Sequence, residues 1–310
     1  MKLIKPNFWL ERNLFSYILY PFSIITYLIN IIKKNYIKKK FNIKTICIGN
    51  IFVGGTGKTS LSIELSEILK KKFKIVFIKK SYKNQKDELI LLKKKGFVIS
   101  NTNRLKSLKI AENKNFEIAL LDDGLQQKNI KYNIRIICFN TDEGLGNGFL
   151  FPAGPLRENI SEIKQNDLVF FNGEGKNLKL YQKIKSVNKN INIFRSTYKP
   201  LNLNKLNRKM KYLMFCGIGN PHEFEKTLLK YKFKIKRKII FPDHHEISRK
   251  ELNIIKETAK KDRLNIITTE KDYYRLNKNQ RKGLKVLKIK LEIQNLDKFK
   301  KILFSINEKN

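Results

Sequence analysis

Cysteine and histidine are scarce in this 310-residue chain, three of each, and 27 acidic residues face 66 basic ones. The three cysteines, Cys47, Cys138 and Cys216, are odd in number, form no CxxC pair and each lie inside an apolar run. That argues against a disulfide framework or a zinc site and points to core positions in a reducing compartment. Internal repeats, zinc-ligand spacing and aromatic-rich single-strand motifs are lacking too, so no motif makes nucleic acid a partner. The acidic deficit leaves a formal net charge of +39, which would suit anionic lipid, nucleic acid or a phosphorylated substrate. Lysines are spread along the whole chain, however, and charge by itself does not choose among these. With 41% hydrophobic residues, the chain can bury one large core or two modest ones.

Charge is also missing locally. The 19 positions from Leu14 to Ile32 carry none, close to the roughly 20 residues that span a bilayer. Pro21, Asn30 and several Ser, Thr and Tyr make the stretch only moderately apolar, so a helix lying in the membrane interface stays open beside one that crosses. No small-x-small cleavage site follows, which disfavours a signal peptide. Lys33, Lys34, Lys38, Lys39 and Lys40 outnumber Lys2, Lys5 and Arg12 on the other side, which puts the body of the protein in the cytoplasm.

The chain is organised around Ile46 to Thr59. An apolar strand ends at Gly49, a glycine-rich turn follows, and Lys58-Thr59 open an amphipathic helix with Leu61, Leu65, Ile68 and Leu69 at helical spacing. This is the context of a phosphate-binding loop. Its backbone amides and helix N-terminus would close on phosphate oxygens, while a lysine and a hydroxyl reach the terminal phosphates and Mg²⁺. The nucleotide-binding run is Phe52, Val53, Gly54, Gly55, Thr56, Gly57, Lys58 and Thr59. Phe52 stands where the strict motif has glycine.

Further on, apolar runs alternate with helical patterns. Strands are expected near Ile75–Ile78, Ile118–Leu121, Ile134–Phe139 and Leu168–Phe171, and a helix near Arg104–Glu112, the pattern of a mostly parallel α/β sheet. A second alternation places strands near Tyr212–Cys216, Ile235–Ile240 and Leu264–Thr268, with helices near His222–Tyr231 and Arg249–Lys261. The expected organisation is a membrane helix and basic flank over 1–40, a P-loop NTPase-like domain over 41–195, and a smaller α/β lobe over 196–292. Ile193–Tyr198 and Val286–Leu291 would be linking strands, and a final helix within 293–310, Leu296–Phe304, would return to the first lobe.

Three further stretches carry chemistry. Asp122 and Asp123 stand where the 118–121 strand ends, as a carboxylate that holds Mg²⁺ or its water shell must. Gly144 to Glu158 is rich in glycine and proline yet carries Phe149, Leu150 and Phe151, which suits a substrate mouth near lipid. Phe241-Pro-Asp-His-His-Glu246 gathers His244 and His245 with carboxylates after a strand. Adjacent histidines lack the i,i+4 geometry of a helical zinc site, so acid–base or orienting work is expected of them. Thr268-Thr-Glu-Lys-Asp272, at another strand end, is a weaker candidate for nucleotide contact.

Taken in order, an apolar N-terminal helix, Gly-Asn-x-x-Val-Gly-Gly-Thr-Gly-Lys-Thr, Leu-Asp-Asp-Gly-Leu-Gln, Gly-Asn-Gly-x-Leu-x-Pro-Ala-Gly-Pro-Leu-Arg-Glu, Gly-Ile-Gly-Asn-Pro, Phe-Pro-Asp-His-His and Thr-Glu-Lys-Asp resemble the tetraacyldisaccharide 4'-kinase family over nearly the whole chain. The family shares the departure at Phe52. The resemblance implies transfer of the ATP γ-phosphate to the 4'-hydroxyl of a lipid-linked disaccharide 1-phosphate, forming lipid IVA in lipid A biosynthesis, at the cytoplasmic face of the inner membrane. It implies Asp87 as catalytic base, paired with His244 or His245. Lys58 would hold the β,γ-phosphates, Thr59 with Asp122 or Asp123 would manage Mg²⁺, and Arg157 would meet the anionic head of the substrate. Lys79-Lys-Ser-Tyr-Lys83 replaces the usual Ser-Arg-Gly-Tyr-Gly, Lys86-Asp-Glu-Leu89 replaces Gly-Asp-Glu-Pro, and Gln127 replaces a histidine. Two other readings remain: a membrane-associated P-loop NTPase that drives metal delivery or assembly, and a basic adaptor that has lost catalysis. The first lacks identifiable switch loops, and intact Lys58, Thr59 and Asp122 oppose the second. Neither nucleic acid nor a protein partner is inferred.

Overall fold

A computed structural model describes residues 6–82 and 86–307. The chain divides into two compact units, one made of Lys5–Ser81, Lys95–Thr197 and Leu291–Asn310, the other chiefly of Tyr82–Lys94 and Tyr198–Lys290. The stretch 82–94 thus groups with the second unit, although it lies within the sequence of the first.

The first unit opens with helices α1 (Leu14–Leu19) and α2 (Ser23–Lys34), joined through a short 3-10 turn at Tyr20–Phe22. There follow β1 (Lys44–Gly49), α3 (Lys58–Leu69) and β2 (Ile75–Lys80). After α4 (Lys86–Lys93), which belongs to the other unit, come β3 (Val98–Asn101), α5 (Arg104–Asn113), β4 (Ile118–Asp122), β5 (Ile134–Asn140), β6 (Leu168–Asn172), α6 (Leu178–Val187) and β7 (Asn192–Pro200). The strands form an eight-stranded sheet of order β12-β7-β6-β5-β1-β4-β2-β3, in which β12 is Ile289–Ile293. Pairing from β3 across to β7 is parallel. β1, β4 and β6 are buried almost throughout, as sheets covered on both faces require, and this is why they read as continuous apolar runs. One cluster packs Cys47, Ile137, Phe139 and Phe171 against Leu180 and Ile184 of α6. A second packs Val76, Ile78, Ala119 and Leu121 against Leu108 and Ala111 of α5. Phe299, in the C-terminal helix Leu296–Phe304, lies against Phe170 and Phe194.

The second unit holds a four-stranded parallel sheet. Its elements are β8 (Lys211–Cys216), α7 (Pro221–Lys230), β9 (Lys234–Ile240), α8 (Arg249–Lys261), β10 (Asn265–Thr269), α9 (Glu270–Arg275) and β11 (Leu284–Leu287), with strand order β11-β10-β8-β9. Strand alternation serves two cores: Tyr212, Met214 and Cys216 face one, Leu213 and Phe215 the other. The run Val286–Leu291, expected as one linking strand, is two. β11 belongs to this sheet and β12 to the larger one. The three cysteines are unbridged and buried, and burial pushes the Cys47 and Cys216 thiols up to about 12, which leaves them inert.

Candidate active site

Parallel register puts the chemistry at the carboxyl edge of the larger sheet. Ile48 of β1 and Lys79 of β2 are both register partners of Asp122, so the loop after β1 leaves the sheet beside that carboxylate. Two glycines set the loop's path: Gly54 has φ +143° and Gly57, the residue before α3, φ +81°, values that L side chains rarely adopt. Asn50 Nδ2 bonds Thr56 Oγ1 at 3.0 Å, and Asn172 Nδ2 donates to the Thr56 carbonyl. Phe52 is buried, so it offers the loop backbone rather than a ring. The Gly144–Glu158 segment braces the loop from outside through Val53 N to Pro155 O and Arg157 N to Ile51 O, both 2.7 Å.

Asp122 is fully buried and saturated with donors. Thr59 Oγ1 donates to Oδ2 at 3.2 Å, Ser62 Oγ to Oδ1 at 3.2 Å, and Lys79 Nζ to Oδ2 at 2.7 Å. Asp123 turns the chain through a left-handed conformation, φ +57°, rare for a residue with a side chain and typical of functional sites. Lys58 Nζ stands 3.7 Å from its carboxylate, and Arg157 Nη1 reaches both oxygens at 3.3 Å. Arg104 Nη2 fixes the turn by donating to the carbonyls of Asp122 and Asp123. Burial would raise Asp123, but the charges of Lys58, Arg157, Lys79 and Arg104 overcome it and hold the carboxyl well below its ordinary 3.8.

Thr59, Asp122 and Asp123 supply one hydroxyl and two carboxylates, the oxygen donors that Mg²⁺ takes beside nucleotide phosphates. Asn50 Oδ1, buried and without a hydrogen-bond donor among the described residues, is a ready acceptor for a metal-bound water. No all-protein cage of three or more His, Cys, Asp or Glu occurs among those residues. The donor set therefore fits an ion that shares its ligands with a nucleotide.

In the second unit, Asp87 near the start of α4 is buried between a histidine and an arginine. His244 Nδ1 lies 3.0 Å from Oδ1 and Arg275 Nη2 2.7 Å from Oδ2. Arg275 is itself fixed by Asp272 Oδ1 and the Gly217 carbonyl, each at 2.7 Å, and Lys271 Nζ binds the neighbouring Glu88 at 2.6 Å. Burial would raise Asp87, but the His244 hydrogen bond and the Arg275 and Lys271 charges hold it far below 3.8. His244 adopts φ +59°, while His245 turns away to stack on Phe241 and bond Glu251 Oε1 at 2.8 Å. The structure thus joins His244 to Asp87 and leaves His245 with α8. Asp272 of the Thr-Glu-Lys-Asp stretch is buried and takes up Gly217 N, Thr269 Oγ1 and Arg275, so its work is to brace the unit. Sequence reasoning missed Arg275, Arg104 and Lys79. Arg275 follows Asp272 by one helical turn; Lys79 shows only as a lysine ending a β-run.

Both depressed carboxylates make a stability prediction. Each lowers the unfolding tendency fully above 3.8 and loses that effect as pH falls towards its folded value. Asp123→Asn and Asp87→Asn should each melt below wild type at neutral pH, by about 1–3 kcal/mol, with the gap closing below pH ~4. A gap constant into acid would show that neither is held ionised.

The N-terminal helices lie on the Gly144–Glu158 segment. Ser23 Oγ donates to Leu150 O at 2.8 Å, Thr26 Oγ1 to Phe151 O at 2.7 Å and Asn30 Nδ2 to Arg157 O at 2.8 Å. Lys34 Nζ reaches Glu162 at 2.5 Å, and Trp9 Nε1 donates to Pro152 O at 3.0 Å. Phe149 is half-buried under Tyr17, Tyr20 and Arg12, whereas Phe151 stays exposed. From Leu14 to Lys34 the helix is long and apolar enough to cross a membrane, which supports membrane association.

Comparison with known proteins shows the family. The family model for tetraacyldisaccharide-1-P 4'-kinase matches residues 15–307. A tetraacyldisaccharide 4'-kinase of Pelagibacter ubique (strain HTCC1062) is 45% identical over the full length of both chains, and one of Rickettsia canadensis (strain McKiel) is 31% identical over 95% of each. In fold, the chain matches the crystal structure of LpxK from Aquifex aeolicus in complex with ATP, with a TM-score of 0.73, 23% identity, and coverage of 94% of this chain and 99% of that one. The chain belongs to the tetraacyldisaccharide 4'-kinase family, the ATP-dependent lipid kinases that phosphorylate the 4'-hydroxyl in lipid A biosynthesis.

Proposed function

We propose that the transfer occurs at the cytoplasmic face of the inner membrane, on a lipid disaccharide 1-phosphate, by a protein whose N-terminal helix lies in the lipid interface. The polar stripe of that helix carries the reading. Its buried or half-buried positions, Ser16, Leu19, Ser23, Thr26, Asn30 and Lys33, recur every three or four residues, so one narrow face docks on the body while Ile25 and Ile32 remain 59% and 60% exposed. A spanning helix would draw the irregular backbone of 150–157 into hydrocarbon, where loops exposed to lipid are not tolerated. Burial of one such isoleucine in lipid is worth about 1.5–3 kcal/mol, roughly tenfold or more in partitioning. The double variant Ile25→Glu/Ile32→Glu should therefore leave phosphatidylglycerol-containing vesicles in a flotation assay while still binding ATP. If it floats as wild type does and resists high salt, the helix crosses the bilayer.

Within the first unit, Lys58 and the loop amides hold the β,γ-phosphates, Thr59 with Asp122 or Asp123 would hold Mg²⁺, and Arg157 meets the anionic head of the lipid. A magnesium ion there would offset charge on the transferring phosphoryl group. Asp87, ionised at every working pH, orients the attacking hydroxyl and receives its proton, with His244 fixing the carboxylate. Phosphoryl transfer is loose and the hydroxyl proton leaves late, so a weak base that stands ionised before the transfer suffices.

A further inference from the structure

The roles above leave one buried charge at the phosphate loop unexplained. Lys79 is 3% exposed and Asp122 fully buried, and they face each other as register partners on adjacent parallel strands with 2.7 Å between ammonium and carboxylate. Lysine is seldom buried unless its charge is matched, because desolvating the ammonium is costly.

The location gives the charge a consequence. Oδ2 of Asp122 already accepts from Lys79 and Thr59, and Oδ1 from Ser62. Asp123 is covered by Lys58 and Arg157. A divalent cation approaching without a nucleotide would meet carboxylates whose charge is already balanced, and would be repelled by the ammonium. A nucleotide arriving without a cation would find Lys58, Lys79, Arg104 and Arg157 against Asp122, Asp123 and Glu143, whose carboxylate lies beside Gly54, a net positive charge suited to a polyphosphate.

We infer that Lys79 is a resident cation of the nucleotide site: its ammonium does at Asp122 the charge-balancing that a divalent ion would otherwise do, so that ATP binds this chain nearly as tightly without magnesium as with it. The inference rests on the phosphate loop's binding ATP. It concerns binding alone and leaves the metal's part in phosphoryl transfer untouched.

The test is calorimetric titration of ATP into the full chain in detergent micelles, in excess magnesium and again in EDTA. Wild-type affinity should change by less than about threefold between the two, whereas Lys79→Ser should lose roughly 30-fold or more in EDTA, the order expected when one partner of a desolvated charge contact is removed. Lys79→Arg, which keeps the charge, should stay close to wild type. A 30-fold loss by wild type in EDTA, or equal insensitivity of wild type and Lys79→Ser, overturns the inference. ATP binding absent from wild type in both conditions would strike the nucleotide reading of the loop and this inference with it. Manganese titration followed by electron paramagnetic resonance needs no variant, and so holds even if Lys79→Ser fails to fold. Nucleotide-free wild type should bind no Mn²⁺ tightly, and tight binding there overturns the inference.

Discussion

Lys58→Ala is expected to lower turnover by about 10²–10³-fold, the order seen when one preorganised charge or donor is taken from a transition state. The lysine is the first residue of α3, directly after the left-handed Gly57. Its ammonium thus leaves the helix at the end where backbone N–H groups also point, and the two effects act on the same oxygens. Folding should survive, because the Lys58–Asp123 separation of 3.7 Å is longer than a direct charge-assisted hydrogen bond. Asp123 would keep Arg157, and its turn would keep Arg104. Melting temperature and steady-state transfer of labelled γ-phosphate to the lipid disaccharide, measured side by side, decide the matter. A near-wild-type rate would remove Lys58 from the mechanism, and label released only as free phosphate by wild type would favour a hydrolase.

Asp87→Ala should cost more, about 10²–10⁴-fold in kcat with little change in KM for ATP, since a group that receives a proton acts chiefly in the transition state. His244→Ala should cost less by itself, and almost nothing further once Asp87 is gone, because the ring bonds that carboxylate. His245→Ala is the internal control: with its ring on Glu251 and Phe241, its loss should leave kcat within about twofold of wild type. Arg275 still has Asp272 in the Asp87 variants, which limits the damage to folding. Additive losses at Asp87 and His244 would mean separate roles, and activity retained by both would return the pair to a structural loop.

The legible parts of this protein were those where one residue type admits one conformation or one environment. β1, β4 and β6 could be read because strands covered on both faces are apolar at every position, and the phosphate loop because glycine marks the turns that nothing else can make. β3, with only four residues, offered too short a run to stand out. Lys288 gave no sign that Val286–Leu291 divides between two sheets, since both halves are equally apolar and only tertiary pairing separates them. In the site, Lys58, Asp122 and Asp123 were marked by strand and loop ends, and Asp87 by resemblance. Arg275 and Lys79 were hidden among 66 Lys and Arg, because what distinguishes them is burial beside a carboxylate, and burial is not written in residue type.

Arg157 has three attachments of different kinds. Its carbonyl accepts from Asn30 on the N-terminal helix, its amide donates to Ile51 at the root of the phosphate loop, and its guanidinium grips Asp123. Cutting off the helix to obtain a detergent-free enzyme would therefore do more than release the protein from lipid. It would free one end of a three-point tether whose other ends lie on the nucleotide loop and the acidic turn, and kinetic constants measured on such a truncated form would describe a loosened catalyst rather than a soluble copy of the original.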